Sequence, residues 1–340
     1  MCYKLVKGKK NMVKYILKRL LLSLFILFGV SIIIYTLVRM MPSDYVDIKF
    51  EPQILNGQIT HEQVAEMKKL YGIGDNSFSG IMSGYFNWVG EMLKGNLGQS
   101  FLYMLPVTEV IKQYMGISFA IALVAFILQM IIAIPLGIKA ATNQYGVFDY
   151  TASVLTVMGI SLPSFFFAAL LIKVLSFDLG WFPMTGSGES SSIKTWSDLV
   201  TVIHHMILPM TVLVVLSLGG LMRYTRTNML EVLNSDYIRT ARAKGLPEKA
   251  VIHKHAFRNT LIPLVTMLAG TLPSLFGGAM ITEKVFSIAG IGLKAYNAMM
   301  IGDIPFIMGY NMFLAVLTVI GTLLSDIAYS FVDPRVKLTK

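Results

Sequence analysis

Few side chains in this 340-residue chain could carry acid–base, nucleophilic or metal chemistry, and their spacing does not suit it. Cys2 is the only cysteine, so no intrachain disulfide and no paired-cysteine zinc site can form. His204 and His205 are adjacent, while His253 and His255 are two apart, which sends each pair to different faces of a helix. Neither pair has the usual ligand spacing, so loop or interface histidines are the simpler reading. Nothing brings Asp198 to a serine and a histidine together, and no nucleophilic triad is defined. The one lysine followed by serine or threonine is Lys194-Thr195, which lacks the preceding glycine loop that cradles phosphate. ATP binding in the P-loop manner is therefore excluded for this chain.

The composition says where these residues must sit. Hydrophobic residues make up 55% of the chain and charged residues only 14%, against about 25% charged in soluble domains. With a mean hydropathy of +0.65, this rules out disorder, a collagen-like fibre and a secreted disulfide scaffold, and argues against an ordinary soluble enzyme. A bilayer core needs roughly 20 apolar helical residues to span it. Candidate runs are Leu20–Val38, Ile117–Ile138, Thr151–Leu175, Met206–Met222, Leu261–Ile281 and Phe306–Val332, which predicts six spans. Lys173 and Asp326 lie near the ends of their runs and can reach the interface. Deep polar positions hold Gln129 and Asn311, with none of the central carboxylates or histidines that proton-coupled carriers use. Pro135, Pro163, Pro209 and Pro273, with the pairs Gly219-Gly220 and Gly277-Gly278, fit either close helix packing or bent helices lining a path.

Charge placement orients the spans. Segments 1–19, 139–150, 223–259 and 333–340 hold 19 Lys+Arg against 5 Asp+Glu, whereas 40–116, 176–205 and 282–305 hold 8 against 13. Lys and Arg concentrate on the cytoplasmic side, so both termini are expected inside. The net charge of +10 is then a topology signal rather than a nucleic-acid footprint. Basic residues precede the first run, yet that run exceeds a signal-peptide core and Arg39-Met40-Met41-Pro42 offers no cleavage site. It reads as a retained helix. The expected organisation is a basic cytoplasmic terminus (1–19), a first span with an extracytoplasmic subdomain (20–116), a transmembrane domain (117–332) and a cytoplasmic tail (333–340).

Outside the spans, Thr60 is a candidate N-cap for a short helix carrying Val64, Met67 and Leu70 and ending at Tyr71-Gly72. Gln99–Val110 reads as a re-entry segment broken by Pro106, and Gly186–Ser192 as a loop. The cytoplasmic segment 223–259 is the most informative. Met229, Leu233, Tyr237 and Ala241 recur every four residues beside Leu230 and Ile238, which predicts one apolar stripe. Arg226, Arg239, Arg242 and Lys244 form its polar side. Gly245 can take the left-handed position that ends a helix, and Pro247 follows. A second helix is expected from Pro247-Glu248 through His253 and His255 towards Asn259. Such an element suits headgroup binding at the membrane surface or docking to a partner.

The run Asp236-Tyr237-Ile238-Arg239-Thr240-Ala241-Arg242-Ala243-Lys244-Gly245-Leu246 resembles the cytoplasmic signature loop of ABC importer permeases of the dipeptide/oligopeptide branch. His255, Arg258-Asn259 and Ile262-Pro263 continue it. Leu70–Ile73, Leu93–Gly98, Leu179–Pro183, His205–Pro209, Glu283–Phe286 and Asp333–Arg335 match in order, from about residue 15 to 337. The long segment after the first span resembles the first, B-type, permease subunit. Arg239-Thr240-Ala241 replaces the Glu-Ala-Ala of the wider importer pattern, and the closing Leu-Pro falls later, as Ile262-Pro263; both are usual in the peptide branch.

The resemblance implies an all-α integral membrane protein of type I importer architecture in a prokaryotic plasma membrane. Implied partners are a second homologous permease in a heterodimer, two ABC ATPase subunits, an extracytoplasmic substrate-binding protein and membrane lipid, with no nucleic acid. It implies no cofactor on this chain, with ATP and Mg on the ATPases. The loop becomes the coupling helix, docking through Tyr237, Ala241, Arg242, Ala243, Gly245 and Leu246. A short peptide is the implied substrate; nickel and glutathione systems share the permease type. A secondary carrier or channel, and a lipid-binding structural protein, are the rival classes.

Overall fold

Away from water, long apolar stretches can satisfy their backbone N–H and C=O groups only within a helix or a closed barrel. The computed structural model describes residues 2–40, 45–57, 60–64, 77–186 and 195–332, and among these the regular elements are all helical, with no strand. The helices are α1 (Cys2–Arg39), α2 (Tyr45–Leu55), α3 (Phe78–Leu93), α4 (Val107–Thr142), α5 (Val147–Ser161), α6 (Ser164–Leu171), α7 (Trp196–Leu233), α8 (Asp236–Ala243), α9 (Glu248–Ala250), α10 (Phe257–Thr271), α11 (Met280–Val285), α12 (Ile291–Met300) and α13 (Ile304–Val332). Met67, Leu70–Ile73, Ser187–Ser192 and Asp333–Arg335 lie outside the described residues, as does the side chain of Asp326. Thr60 does cap its short helix: the Gln63 amide donates to Thr60 Oγ1 at 3.3 Å and the Thr60 amide to Gln63 Oε1 at 2.9 Å.

Among the described residues, four helical stretches are long and apolar enough to cross a bilayer: Arg19–Arg39, Val107–Thr142, Trp196–Leu233 and Ile304–Leu323. The third expected span is instead a bent pair, α5 with α6 and its π-type continuation Ile172–Asp178, turning through 103°. Leu162 is extended (ψ 128°) because Pro163 follows it. The fifth expected span is also interrupted. After Thr271 the chain tightens into a 3₁₀ turn, Leu272–Phe276, with proline near its start, and Gly278 follows at φ +69°. Pro135 and Pro209, by contrast, lie inside the uninterrupted helices α4 and α7.

The chain forms two compact units. One comprises residues 1–116 and 290–319. Its core joins Tyr35 and Val38 of α1, Tyr85 of α3 and Ile307 and Met308 of α13. Tyr35 and Tyr85 meet edge-to-face at 5.5 Å, a favoured arrangement for aromatic quadrupoles. Of Gln99–Val110, expected as a re-entry segment, Gln99–Pro106 forms a turn closed by one antiparallel bridge, and Val107–Val110 already belong to α4. A buried carboxylate accounts for the turn: Asp303 Oδ2 accepts from Ser100 Oγ at 2.6 Å and the Leu102 amide at 3.0 Å. Its Oδ1 accepts from the Phe306 amide at 3.2 Å, capping α13. Burial holds the Tyr103 phenol well above its usual range, and its O–H donates to the Lys294 carbonyl at 2.9 Å.

Removing that carboxylate strands three donors in a fully buried site. Asp303→Ala is expected to cost about 3 kcal/mol of stability, summing lost bonds to a charged acceptor and a lost cap. Thermal unfolding of the solubilised protein measures it, and an unchanged midpoint would contradict the clamp.

The second unit comprises 117–289 and 320–340. Here α5 packs along α7, and the contact depends on missing side chains. A Cβ at Gly219 would lie 2.7 Å from the Thr156 carbonyl oxygen, and one at Gly137 of α4 would lie 2.7 Å from that of Met222. The small residues at these positions are therefore close-packing devices. Gln129 has a structural use too, donating to the Ser217 carbonyl at 2.9 Å. Glu283 of α11, buried, accepts from Ser118 Oγ at 2.7 Å and from the Ala279 amide at 3.1 Å.

Candidate functional site

Polar, glycine-broken sequence between two apolar runs can form structure at a membrane surface only if something anchors it. In segment 223–259 the anchor is a small core of Met229, Ile238, Ala241, Val251 and Ala256, closed by Ala141 of α4. The expected single stripe is split. Helix α7 ends at Leu233, where the Asn234 and Ser235 amides return to the Leu230 and Val232 carbonyls, and α8 restarts at Asp236. The restart rotates the register, so Ile238 takes the fully buried place and Tyr237 turns outward at 47% exposure. Fourfold spacing alone could not reveal this, because it assumes one uninterrupted helix.

Beyond α8 the chain turns at Gly245, φ +74°, whose amide donates to the Arg242 carbonyl at 2.9 Å. That is the left-handed position its place in the sequence suggests. Pro247, extended at ψ 139°, then starts α9, which continues through the π-type turn Val251–Ala256 directly into α10. The second helix therefore does not stop near Asn259; it is the cytoplasmic end of the next apolar run. Across the turn, Arg242 grips Glu248 with two bonds, Nη2 to Oε1 at 2.7 Å and Nε to Oε2 at 3.2 Å. These bonds hold the Glu248 carboxyl below the usual carboxylate range. The bridge therefore persists through the usual carboxylate range and opens only as pH falls below it, through the lowered Glu248 pKa.

Of the residues singled out from the sequence, Tyr237, Arg242, Ala243, Gly245 and Leu246 are exposed on one short stretch. Ala241 is not among them. It is 6% exposed and packs inward, so its small size serves the fit of α8 against its own core.

Asp149, at the start of α5, escaped the sequence reading. It is 4% exposed and takes both forks of Arg226, Nε to Oδ1 and Nη2 to Oδ2, each at 2.6 Å. The Tyr145 amide adds a third bond at 3.0 Å. The pair ties α5 to α7 seven residues before the loop begins its turn into α8. No local signal marks it, since the partners stand 77 residues apart. His204 and His205 hold structural positions: His204 Nε2 lies 3.0 Å from the Trp181 carbonyl and His205 Nδ1 2.9 Å from that of Thr201.

Residues 133–338, which include this loop, match the family described as "binding-protein-dependent transport system inner membrane component". The chain belongs to that family. It is a multi-pass membrane permease of a prokaryotic plasma membrane, and such permeases work within transporter complexes with ATPase and other subunits. Among its relatives, the oligopeptide transport system permease protein AppB of Bacillus subtilis is 38% identical over 96% of this chain and 100% of its own length. The dipeptide transport system permease protein DppB of Lactococcus lactis is 35% identical over the same shares. Among solved structures, the methionine ABC transporter MetNI in inward-facing form covers 68% of this permease and 98% of its own chain, at 18% identity and a TM-score of 0.49.

Proposed function

We propose that this permease is the first, B-type, transmembrane subunit of an ATP-driven peptide uptake system. The relatives described as oligopeptide and dipeptide permeases, aligned over their full length, support the substrate class. In this reading a second, homologous permease supplies the other half of the path, two ATPase subunits the power, and an extracytoplasmic binding protein the peptide. Residues 20–116 serve as first span and extracytoplasmic subdomain, and 117–332 as the translocating domain. The chain itself is non-catalytic, binding no cofactor, while ATP and Mg act on the partner ATPases.

The loop at Gly245 carries the coupling reading. Its outer surface, Tyr237, Arg242, Ala243, Gly245 and Leu246, is exposed, while Ile238 and Ala241 root it in a core shared with α4, α7 and α10. An aromatic, an arginine and small residues on a rooted projection suit a protein cleft. A push there is delivered to the ends of three long helices at once. A partner shifts the balance of inward- and outward-facing states only by binding them unequally, and a rigid root makes that unequal contact felt in the membrane.

The decisive experiment is a mild-detergent pull-down from native membranes with mass spectrometry of bound proteins and small molecules. Recovery of a second permease, P-loop ATPases and bound peptide is expected; folded chain recovered alone would overturn the reading. Within that complex, Arg242→Glu sets a like charge against Glu248. By losing the arginine's contacts, it should lower ATPase co-purification about fivefold, as loss of roughly 1 kcal/mol predicts. An unchanged complex would return the loop to a headgroup-binding role.

A further inference from the structure

On the membrane side of the loop lies a groove of about 440 Å³, walled by Ile134, Pro135, Ile138, Ile252 and Phe257, with Lys139, Thr142 and His253 also lining it. Its polarity is graded along the membrane normal. Helix α4 runs towards the cytoplasm, so Lys139 and Thr142 lie nearer the surface than Ile134 and Pro135. The limb 251–271 runs the other way, so His253 lies nearer the surface than Phe257. One end is therefore apolar and membrane-ward, and the other is cationic and at headgroup level.

Lys139 is held at that level by the first turn of α5. Its ammonium stands 4.3 Å over the Phe148 ring, and among the described residues it forms no ion pair. A cation fixed on an aromatic face, at the mouth of an apolar slot, with no carboxylate partner, is complementary to one kind of neighbour. We infer that the groove binds an anionic phospholipid of the cytoplasmic leaflet, its phosphate on Lys139 and His253 and an acyl chain along Pro135, Ile138 and Phe257. Because Val251 and Ala256, which flank His253, belong to the buried core that roots α8, the lipid would brace the second limb of the loop. The site is independent of the substrate and of the ATPase contact proposed above.

The test uses the intact permease complex in mild detergent, with native mass spectrometry after addition of phosphatidylglycerol or phosphatidylcholine. Retention of phosphatidylglycerol over phosphatidylcholine is expected. Lys139→Ala should cut that retention about fivefold, the worth of one cation near an anionic surface, and Ile138→Trp, which fills the slot but keeps the lysine, should cut it similarly. Lys173→Ala, at an exposed lysine elsewhere, is the control and should change nothing. Equal retention by wild type and both groove variants would overturn the inference, marking the lipid as loosely adsorbed. So would a disulfide between Ile138→Cys and a cysteine placed in the second permease, since the groove would then be a protein interface. If Lys139→Ala does not assemble, the Ile138→Trp comparison still decides.

Discussion

Gly245→Val is expected to reduce substrate uptake to below about a tenth of wild type, with the permease still in the membrane and its complex assembled. The residue sits at φ +74°, where an L side chain costs roughly 1–2 kcal/mol, and a β-branched one is a genuine outlier. Nothing lies within 4 Å of the position a Cβ would occupy, so the penalty is conformational and not steric crowding. Valine would relieve it by re-forming the turn, which displaces Leu246 and Pro247 from α8 and opens the Arg242–Glu248 bridge. The core beneath, Ile238 with Val251, is untouched, so insertion and folding should survive. Asparagine tolerates the left-handed region, and Gly245→Asn should therefore keep most of the uptake, with Gly245→Ala between. Uptake and ATP hydrolysis measured in proteoliposomes distinguish the outcomes: hydrolysis without uptake is the expected mark of valine. Wild-type uptake by the valine variant would remove Gly245 from the coupling path.

A stability effect as large as that at Asp303 is expected at Asp149. Its side chain is 4% exposed and holds both forks of Arg226, itself 23% exposed. Removing one member of a buried pair leaves an uncompensated charge, worth about 3–5 kcal/mol. Because Arg226 can still reach some water, Asp149→Ala should fall near the lower end, about 3 kcal/mol. The double variant Asp149→Ala/Arg226→Met removes both charges and should recover at least half of the loss, since apolar replacement of a buried pair is often neutral. Thermal unfolding of wild type, Asp149→Ala, Arg226→Met and the double variant closes the cycle. Additive losses in the double variant would mean that the two side chains do not act as a pair. The same cycle bears on function, because this pair fixes the end of α7 from which the loop projects.

Much of the molecule is legible without coordinates, for one reason: the features concerned are local. A bilayer sorts residues by hydropathy over about 20 positions, so the apolar runs, the basic cytoplasmic segments and the orientation all follow from the chain itself. Gly245 and Pro247 likewise act on their own backbone, and the turn between α8 and α9 stands where they put it. The Thr60 cap follows from two side chains three residues apart.

Tertiary structure decided what local rules leave open. Both Pro135 and Pro163 lack an amide donor, yet α4 runs straight through the first while the chain turns 103° at the second. At the first, the helix continues with α7 packed against it at Gly137 and Gln129; at the second, Leu162 is extended and α6 restarts on a new axis. Tyr237 and Ile238 are adjacent and both apolar; only the break at Asn234-Ser235 determines which is buried and which faces a partner. Asp149 and Asp303 were silent in the sequence because a carboxylate is unremarkable until its donors, 77 and about 200 residues away, are brought to it. Hydropathy and charge along the chain thus specify a permease and its orientation. The surface it offers its partners is set by contacts between segments far apart in sequence, through which burial turns a common residue into an anchor.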